Sequence, residues 1–285
     1  MMKKVTLMLF CIVCAVAVFG QNAQIKVQYT ATKPVWMSKG ETSSTKMLLL
    51  SGPESSRYFN PMSQLVDSMT STPEGEKQLR ELQFKAWVTQ GPDGSITVNK
   101  SKSNVPDKRV NLYVDKDFAD GIITVYDKYA MDPAVYTEPI DEMQWTIVED
   151  STKNILGYEC ILGETDYHGR RWKAWFSPEI PVHDGPWKFH GLPGLILLAE
   201  TDGVPFRFEA TGIEATDEKI PPMYKTDTYT KTERKKALAD EDYGNNNREA
   251  LLTARFGTTV TVKNTGEKRV APKFEKDKHA IETDY

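Results

Sequence analysis

The feature that most constrains the fold is a succession of short apolar segments, separated by turn-forming residues, in the second half of the chain. Segments of about four to eight residues bounded by Gly, Pro, Asp or Asn are typical of β-strands. Short connections favour antiparallel pairing of consecutive strands. The sequence therefore predicts a series of antiparallel strands, at residues 122–126, 145–148, 158–162, 171–176, 195–198 and 206–210.

The first half of the chain adds strands and helices. Residues 25–29 alternate between apolar and polar side chains and residues 46–50 form a short apolar run, which predicts two more strands. Between Pro61 and Gln90 the apolar residues are spaced as in helices, and two helices are expected there. The predicted fold class is α+β and β-rich. We expect a curved antiparallel sheet, open or curved as far as a half-barrel. The sheet is expected to curl around the covering helices or to pack on them.

A polar stretch interrupts the later strands. Residues 216–249 contain 8 acidic and 7 basic residues, with Pro221-Pro222 and three consecutive asparagines. This composition predicts a solvated insertion with one short helix near residues 231–242. The pattern on its two sides does not change in a way that marks a domain boundary. We therefore expect residues 21–285 to form a single domain that carries this insertion.

The N-terminus has the organisation of a secretory signal peptide. Lys3 and Lys4 form a basic head, residues 5–19 are apolar, and Gly20 precedes a polar exit. The apolar run has 15 residues, which is short for a membrane-spanning helix. We expect residues 1–20 to be removed and no membrane span to remain. Removal also takes away two of the three cysteines, so that only Cys160 is left and no internal disulfide can form.

The net charge excludes one class of partner. After removal of the signal the chain has 34 basic and 40 acidic residues, a net charge of -6. An exported protein with this charge is not expected to bind nucleic acid, in spite of the basic and aromatic residues at 170–176. The expected partner is therefore an apolar ligand or another protein.

A group of short motifs connects the chain with a known family. Residues 157–160 read GYEC, residues 169–176 read GRRWKAWF and residues 185–190 read GPWKFH. The hexapeptide that follows consists of Gly191, Leu192, Pro193, Gly194, Leu195 and Ile196. Together these motifs resemble the GLPGLI family of secreted envelope proteins of Bacteroidota. The resemblance implies an exported protein in the periplasm or associated with the outer membrane, and it implies no catalytic residue and no cofactor.

The hexapeptide also has a physical interpretation. Pro193-Gly194 favours a tight turn, because Pro restricts φ and Gly accepts positive φ. Residues 195–198 would then enter the sheet as a buried strand. Both features are explained by the requirements of folding alone.

Aromatic residues near this motif are the candidate ligand-binding residues. The fold resembles, at the level of architecture alone, the half-barrels that carry lipids or lipoproteins across the periplasm. If the concave side of the sheet binds an apolar ligand, accessible rings are required at its opening. The candidates are Trp172, Trp175, Trp187 and Phe189.

Two alternatives belong to other functional classes. His183, Asp184 and His190 lie close together in one loop, and imidazole and carboxylate groups are ligands of zinc or copper. Glu179 and Asp184 are a possible acid and base pair of an uncharacterised hydrolase. No motif assigns catalytic roles, and Ser177 lacks the glycine context of a nucleophile. The favoured interpretation is a non-enzymatic envelope protein that binds an apolar ligand or a partner in a concave sheet.

Overall fold

The computed structural model describes residues 22–35, 41–100, 105–140, 143–257 and 273–285. The predicted signal peptide, residues 1–20, lies outside these ranges. Within them, fourteen strands and five helices are present. The strands are β1 (Ile25–Pro34), β2 (Thr42–Ser51), β3 (Ser55–Phe59), β4 (Val88–Gln90), β5 (Ile96–Val98), β6 (Tyr113–Asp117), β7 (Ile122–Tyr129), β8 (Asp132–Pro139), β9 (Thr146–Ile155), β10 (Tyr158–Tyr167), β11 (Arg170–Ser177), β12 (Leu195–Thr201), β13 (Arg207–Ala215) and β14 (Thr230–Lys231). The helices are α1 (Pro61–Met69), α2 (Pro73–Trp87), α3 (Arg234–Asn246), α4 (Arg248–Phe256) and α5 (Lys276–His279).

Twelve of the strands form one sheet with the order β14-β8-β7-β6-β3-β2-β1-β13-β12-β11-β10-β9. Each neighbouring pair is antiparallel except β14 and β8, which run parallel. The sheet therefore consists of two meanders, β1 to β8 and β9 to β13, joined where β1 pairs with β13. The end strands β14 and β9 do not pair with each other, so the sheet does not close into a barrel. The predicted β-rich α+β class is confirmed.

The short connection between β8 and β9 explains why the sheet is curved. These strands are ten positions apart in the sheet, which would separate them by about 48 Å if the sheet were flat. The chain leaves β8 at Pro139 and enters β9 at Thr146, and the residues between them can span only about 25 Å. The sheet must therefore curl until its two ends approach each other.

The inner face of the curled sheet carries the main hydrophobic core. Side chains from ten strands meet in one cluster, which requires the sheet to wrap around them. The alternation along each strand selects this face, as in β1, where Ile25, Val27 and Tyr29 are buried. Residues 178–194, between β11 and β12, fill the interior together with α3, which contributes Ala237 and Leu238.

The outer face carries a smaller cluster and the first two helices. Leu48, Leu50, Phe59 and Tyr113 form this cluster, which is covered in part by Ile220 and Met223 of the polar insertion. The Tyr113 hydroxyl donates to Asp67 of α1 at 2.6 Å, so α1 lies on this side.

The two helices predicted between Pro61 and Gln90 are present, and each begins as the sequence requires. Asn60 and Thr72 accept hydrogen bonds from the backbone of α1 and α2, and a proline stands at the start of each helix. The sheet does not curl around them, because α1 packs on the outer face. The helix expected near residues 231–242 is α3, which packs against the inner core through Ala237 and Leu238 while most of its other side chains are exposed or partly exposed.

Candidate functional site

The segment that contains the GLPGLI hexapeptide lies inside the curled sheet. Its rings pack edge to face on the inner strands, with 4.8 Å between the ring centroids of Trp172 and Phe189. Trp187 stacks on Phe208 of β13 at 6.2 Å. Backbone hydrogen bonds fold the segment on itself, including one from Ile196 N to the Asp184 carbonyl at 3.0 Å. The segment is therefore an interior layer of the fold.

Lys116 of β6 fastens this segment from the opposite side of the interior. Its side chain is completely buried and forms an ion pair with Asp184. The ammonium group also donates to the carbonyls of Gly185 at 2.8 Å and Phe189 at 2.9 Å. Burial lowers the pKa of Lys116, while the Asp184 carboxylate opposes that shift. A buried lysine needs such partners, since an unpaired charge in the interior is costly.

Gly194 allows the segment to return to the sheet. A Cβ atom at this position would lie 2.1 Å from the Ser177 carbonyl oxygen and 2.6 Å from its carbon. The residue also has a φ of +156°. Close backbone approach is therefore the main reason for glycine in the Pro-Gly turn.

A second group of buried charges lies where the segment meets the C-terminal residues. The Lys188 ammonium is completely buried between two carboxylates, 2.8 Å from Glu138 of β8 and 2.7 Å from Glu282. Arg234, near the start of α3, contacts Glu282 at 2.6 Å and Asp284 at 2.7 Å. We call residues 273–285 the C-terminal segment, the rest of the described protein the body, and Glu138, Lys188 and Arg234 the body charges.

His168 connects these groups. It lies in the turn between β10 and β11, with its Nε2 atom 3.3 Å from Glu138 and its Nδ1 atom 3.4 Å from Asp284. The three carboxylates and the neighbouring cations therefore form one continuous network. Such a network is stable in an interior only while every member keeps a partner.

The network holds two carboxyl groups in the ionised form. Burial raises the pKa of Glu138, but the hydrogen bond with His168 and the charge of Lys188 outweigh it and lower that pKa to about 2. Burial likewise raises the pKa of Asp284, and Arg234 overcomes this effect and lowers that pKa to about 2. Burial lowers the pKa of the Arg234 guanidinium, but the Asp284 and Glu282 carboxylates outweigh it and raise that pKa.

The body also holds the main chain of the C-terminal segment. Arg170 donates from Nε to the carbonyls of Ala280 at 3.0 Å and Ile281 at 3.2 Å, and from Nη2 to the Asp277 carbonyl at 3.0 Å. Thr283 donates its backbone N–H to the His168 carbonyl at 2.9 Å.

The contact between the segment and the body is close. A Cβ atom at Gly169 would lie 2.2 Å from the Thr283 hydroxyl and 3.1 Å from the Asp284 nitrogen. Ile281 packs against the inner core, so the segment covers part of it.

The structure does not bring the four predicted ligand-binding rings to one surface. Trp172, Trp187 and Phe189 are buried, with at most 3 % of their surface exposed. Trp175 is partly buried on the other face of β11, where the Lys153 ammonium lies 4.9 Å above its ring. The inner rings are core, and a ligand reaches them only if the interior opens. Their role in ligand binding stays a prediction.

The structure gives the predicted metal-binding residues other partners, and their role as metal ligands stays a prediction. Asp184 is bonded to Lys116, and the Nδ1 atom of His190 lies 2.9 Å from the Lys188 carbonyl oxygen. Burial lowers the pKa of His190. His183 is in the same loop, where its carbonyl accepts from Gly191. The two residues of the predicted acid and base pair also have other partners, since Glu179 accepts from the backbone of Glu159 and Asp184 forms an ion pair with Lys116.

A different group has the composition of a metal site. Within the part of the chain that the structure describes, the nitrogen and oxygen atoms of His168, Glu282 and Asp284 lie within 4.8 Å of one another. Arg234 contacts both carboxylates, Lys188 contacts Glu282, and these two cations supply the positive charge that a metal ion would supply. The arrangement is therefore that of an ion-pair network.

None of the residues of this network is among the site residues predicted from the sequence. Glu282 and Asp284 lie in a charged tail, and Arg234 lies in a polar insertion, where charges are normally solvated. One signal was available. Lys188 stands between Trp187 and Phe189, and a lysine flanked by two aromatic residues in an apolar region suggests a buried ion pair.

Comparisons with known proteins give a partial match. A family model described as a protein of unknown function (Porph_ging) matches residues 126–198, a region that includes the complete hexapeptide. No curated protein matches the chain. Within the described ranges, no helix has the length and apolar character needed to cross a membrane.

Solved structures give only a distant likeness. Two crystal forms of PNGF-II align with a TM-score of 0.46 and 10% sequence identity. Each alignment covers 78% of this chain and 33% or 34% of the other chain. This chain thus spans about a third of PNGF-II.

Proposed function

We propose that this chain is an exported, non-enzymatic envelope protein of the GLPGLI family that binds a partner or an apolar ligand on the concave side of its curled sheet. The observation that carries the proposal is the way in which the C-terminal segment covers this side. The segment is not paired with any strand of the sheet in the described ranges, and side chains of the body hold it through its backbone carbonyls and its carboxylates.

The groups behind the segment are suited to binding. Lys188 lies 5.1 Å from the Tyr136 ring centroid and 5.2 Å from that of Trp187, so cationic and aromatic groups meet below Glu282. Movement of the segment would uncover these groups together with the apolar surface under Ile281. A site that combines apolar surface with a few placed polar groups is typical of ligand binding.

The buried acids and bases support a non-enzymatic role. Among the described residues, two ion pairs lie in the interior, Lys116 with Asp184 and Lys188 with Glu138, and no more than 5 % of any of these side chains is exposed. Groups enclosed in this way stabilise the fold, whereas a general acid or base must reach a substrate.

Two matched glycine variants test whether the concave side can accept a ligand. Gly169→Ala places a methyl group against Thr283 and should displace the C-terminal segment. Gly157→Ala lies in the corresponding turn between β9 and β10, with a similar φ of +90° and open space around the position. The two variants share the backbone strain and differ in the contact.

We expect Gly169→Ala, but not Gly157→Ala, to bind anilinonaphthalene sulfonate and oleate while its near-ultraviolet circular dichroism remains native. The circular dichroism measurement matters because a molten globule would also bind the dye. The proposed function would be contradicted by a folded Gly169→Ala protein whose C-terminal segment is displaced and which binds neither of these compounds nor a synthetic peptide of residues 273–285. Hydrogen exchange at the Thr283 amide shows whether the segment has been displaced.

A further inference from the structure

We infer that the concave site recognises an extended acidic polypeptide segment with two carboxylates two residues apart, and that the chain's own residues 281–284 occupy this site. The inference rests on the proposed function and specifies its partner as a protein segment of the form Glu-x-Asp. It follows from two sets of contacts and from the charge of the groups that line the site, all in the described residues.

The first set recognises a main chain. Arg170 donates to the carbonyls of Asp277, Ala280 and Ile281, and the His168 carbonyl accepts from Thr283. Every polypeptide offers carbonyl and N–H groups, so these contacts do not depend on the sequence of the segment. An extended peptide from another protein can make the contacts of Ala280, Ile281 and Thr283, whereas the contact of the Asp277 carbonyl also requires the helical turn of α5.

The second set recognises side chains. Glu282 contacts Lys188 and Arg234, and Asp284 contacts Arg234 through both of its oxygens and lies beside His168. Residues two apart on an extended chain point to the same side, so both carboxylates face one cationic wall. Arg234 bridges them, and a guanidinium with its planar donors is well suited to bind carboxylates.

The third observation is the charge that the body keeps. Without the segment, Lys188 and Arg234 are opposed by the single carboxylate of Glu138, with His168 beside it. With the C-terminal segment in place Lys188 is completely buried and Arg234 is 12% exposed, so a segment that covers the site takes this surplus positive charge out of water. A desolvated cation without a partner is costly, and an occupant that covers the site must therefore be anionic. This chemistry favours an acidic segment over a fatty acid, which offers a single carboxylate.

The segment on the same chain is a competitor of the partner. A tethered segment acts at an effective concentration that is on the order of millimolar. A partner must therefore carry the same acidic pair and either add contacts or bind when the segment is released. In this respect the segment controls access to the site.

The test uses a full chain in which the competitor is weakened. In the variant Glu282→Gln/Asp284→Asn the segment loses both charges while the body charges and Arg170 remain. The probe is a fluorescent synthetic peptide of residues 273–285, and its binding is measured by anisotropy. The control peptide carries Gln and Asn in place of the two acids. Lys278→Gln is the control chain, since the Lys278 side chain is 66% exposed and pairs with Glu275 of its own helix.

We expect the neutralised chain to bind the acidic peptide about tenfold to a hundredfold more tightly than the control peptide. The control peptide lacks the hydrogen bonds that the two carboxylates make with charged groups, and the loss of such bonds weakens binding by a factor of this order. The Lys278→Gln chain should bind the acidic peptide more weakly than the neutralised chain, because its own segment still competes. Adding Arg170→Lys to the neutralised chain should weaken the binding of both peptides, because both peptides make the same main-chain contacts with Arg170.

Two results would overturn the inference. One is a folded, neutralised chain that does not bind the acidic peptide, and the other is equal affinity for the two peptides. If the double variant does not fold, Asp284→Asn alone is judged by the same two results, because that side chain is 35% exposed and its loss is milder. Binding of oleate to Gly169→Ala without binding of the peptide would leave the proposed function in place and overturn this inference.

Discussion

Two lysines with completely buried side chains, Lys116 and Lys188, hold the GLPGLI segment inside the sheet. Lysine is almost never fully buried unless it is paired. Each of these residues meets at least one carboxylate, Asp184 for Lys116, and Glu138 with Glu282 for Lys188. The interior is thus ordered by charge as well as by apolar packing.

Replacement of Lys116 by Met should show how much its ion pair matters. Lys116→Met leaves the Asp184 carboxylate buried without its partner, and we expect the free energy of unfolding to fall by about 3 to 5 kcal/mol. Lys116→Met/Asp184→Asn should be more stable than Lys116→Met, because no unpaired charge remains. Urea unfolding measures both variants, with the exposed Lys278→Met as the control. If Lys116→Met is as stable as Lys278→Met, the ion pair contributes nothing to the free energy of unfolding.

Substitution of Gly194 allows the cost of steric contact to be distinguished from the cost of backbone strain. Gly194→Ala should destabilise the protein more than Gly203→Ala, because the new Cβ atom would meet the Ser177 carbonyl, whereas the space around Gly203 is open. The control has a φ of +84° and should cost only about 1 to 2 kcal/mol for the left-handed conformation. Thermal unfolding compares the two, and equal midpoints would mean that the loop moves without cost.

At the scale of elements, the fold depends on contacts between strands and segments distant in the sequence. β8 supplies Glu138, α3 supplies Arg234 and the C-terminal segment supplies Glu282 to one network. Ion pairs that join separate elements make their positions interdependent, so the loss of one partner affects the others.

The low pKa of Glu138 predicts how stability changes with acidity. Its pKa is about 2 in the folded protein and near 4.3 in an unfolded chain, so its contribution is complete above about pH 5 and is lost as the pH falls towards 2. The contribution is on the order of 3 kcal/mol. Glu138→Gln should therefore lose less stability than the wild type between pH 7 and pH 3, as measured by urea unfolding. Parallel losses in the two proteins would show that Glu138 does not titrate in this range.

At the scale of the whole molecule, the sheet curls around segments of its own chain. Strands β1 to β8 and β9 to β13 form two meanders, and the interior between them is filled by residues 178–194, α3 and the C-terminal segment. The molecule therefore has a layered interior, and its outermost layer on the concave side is the C-terminal segment. This position is the reason for expecting regulated access.

Export of the whole molecule has a direct test. The exported chain should begin at Gln21, because the apolar run ends before Gly20 and a small residue there suits the signal peptidase. N-terminal sequencing of the secreted protein is the measurement. A membrane-bound protein that retains Lys3 and Lys4 would contradict the assignment.

The sequence by itself determined the class of the fold and most of its strands. Local alternation and turn residues predict β7, β10, β11, β12 and β13 because a strand with one buried face shows that face in its own side-chain pattern. The two helices after Pro61 were predictable for the same reason, with Asn60 and Thr72 as caps. These features depend on neighbours in the chain.

Only the tertiary structure decided what lies inside the sheet. Nothing near Lys116 in the sequence indicates Asp184, which is 68 positions away, and nothing near Lys188 indicates Glu282. A charged residue carries the same local pattern whether it faces solvent or a buried partner. The curl of the sheet brings these partners together, and for this reason the candidate site became visible only with the complete fold.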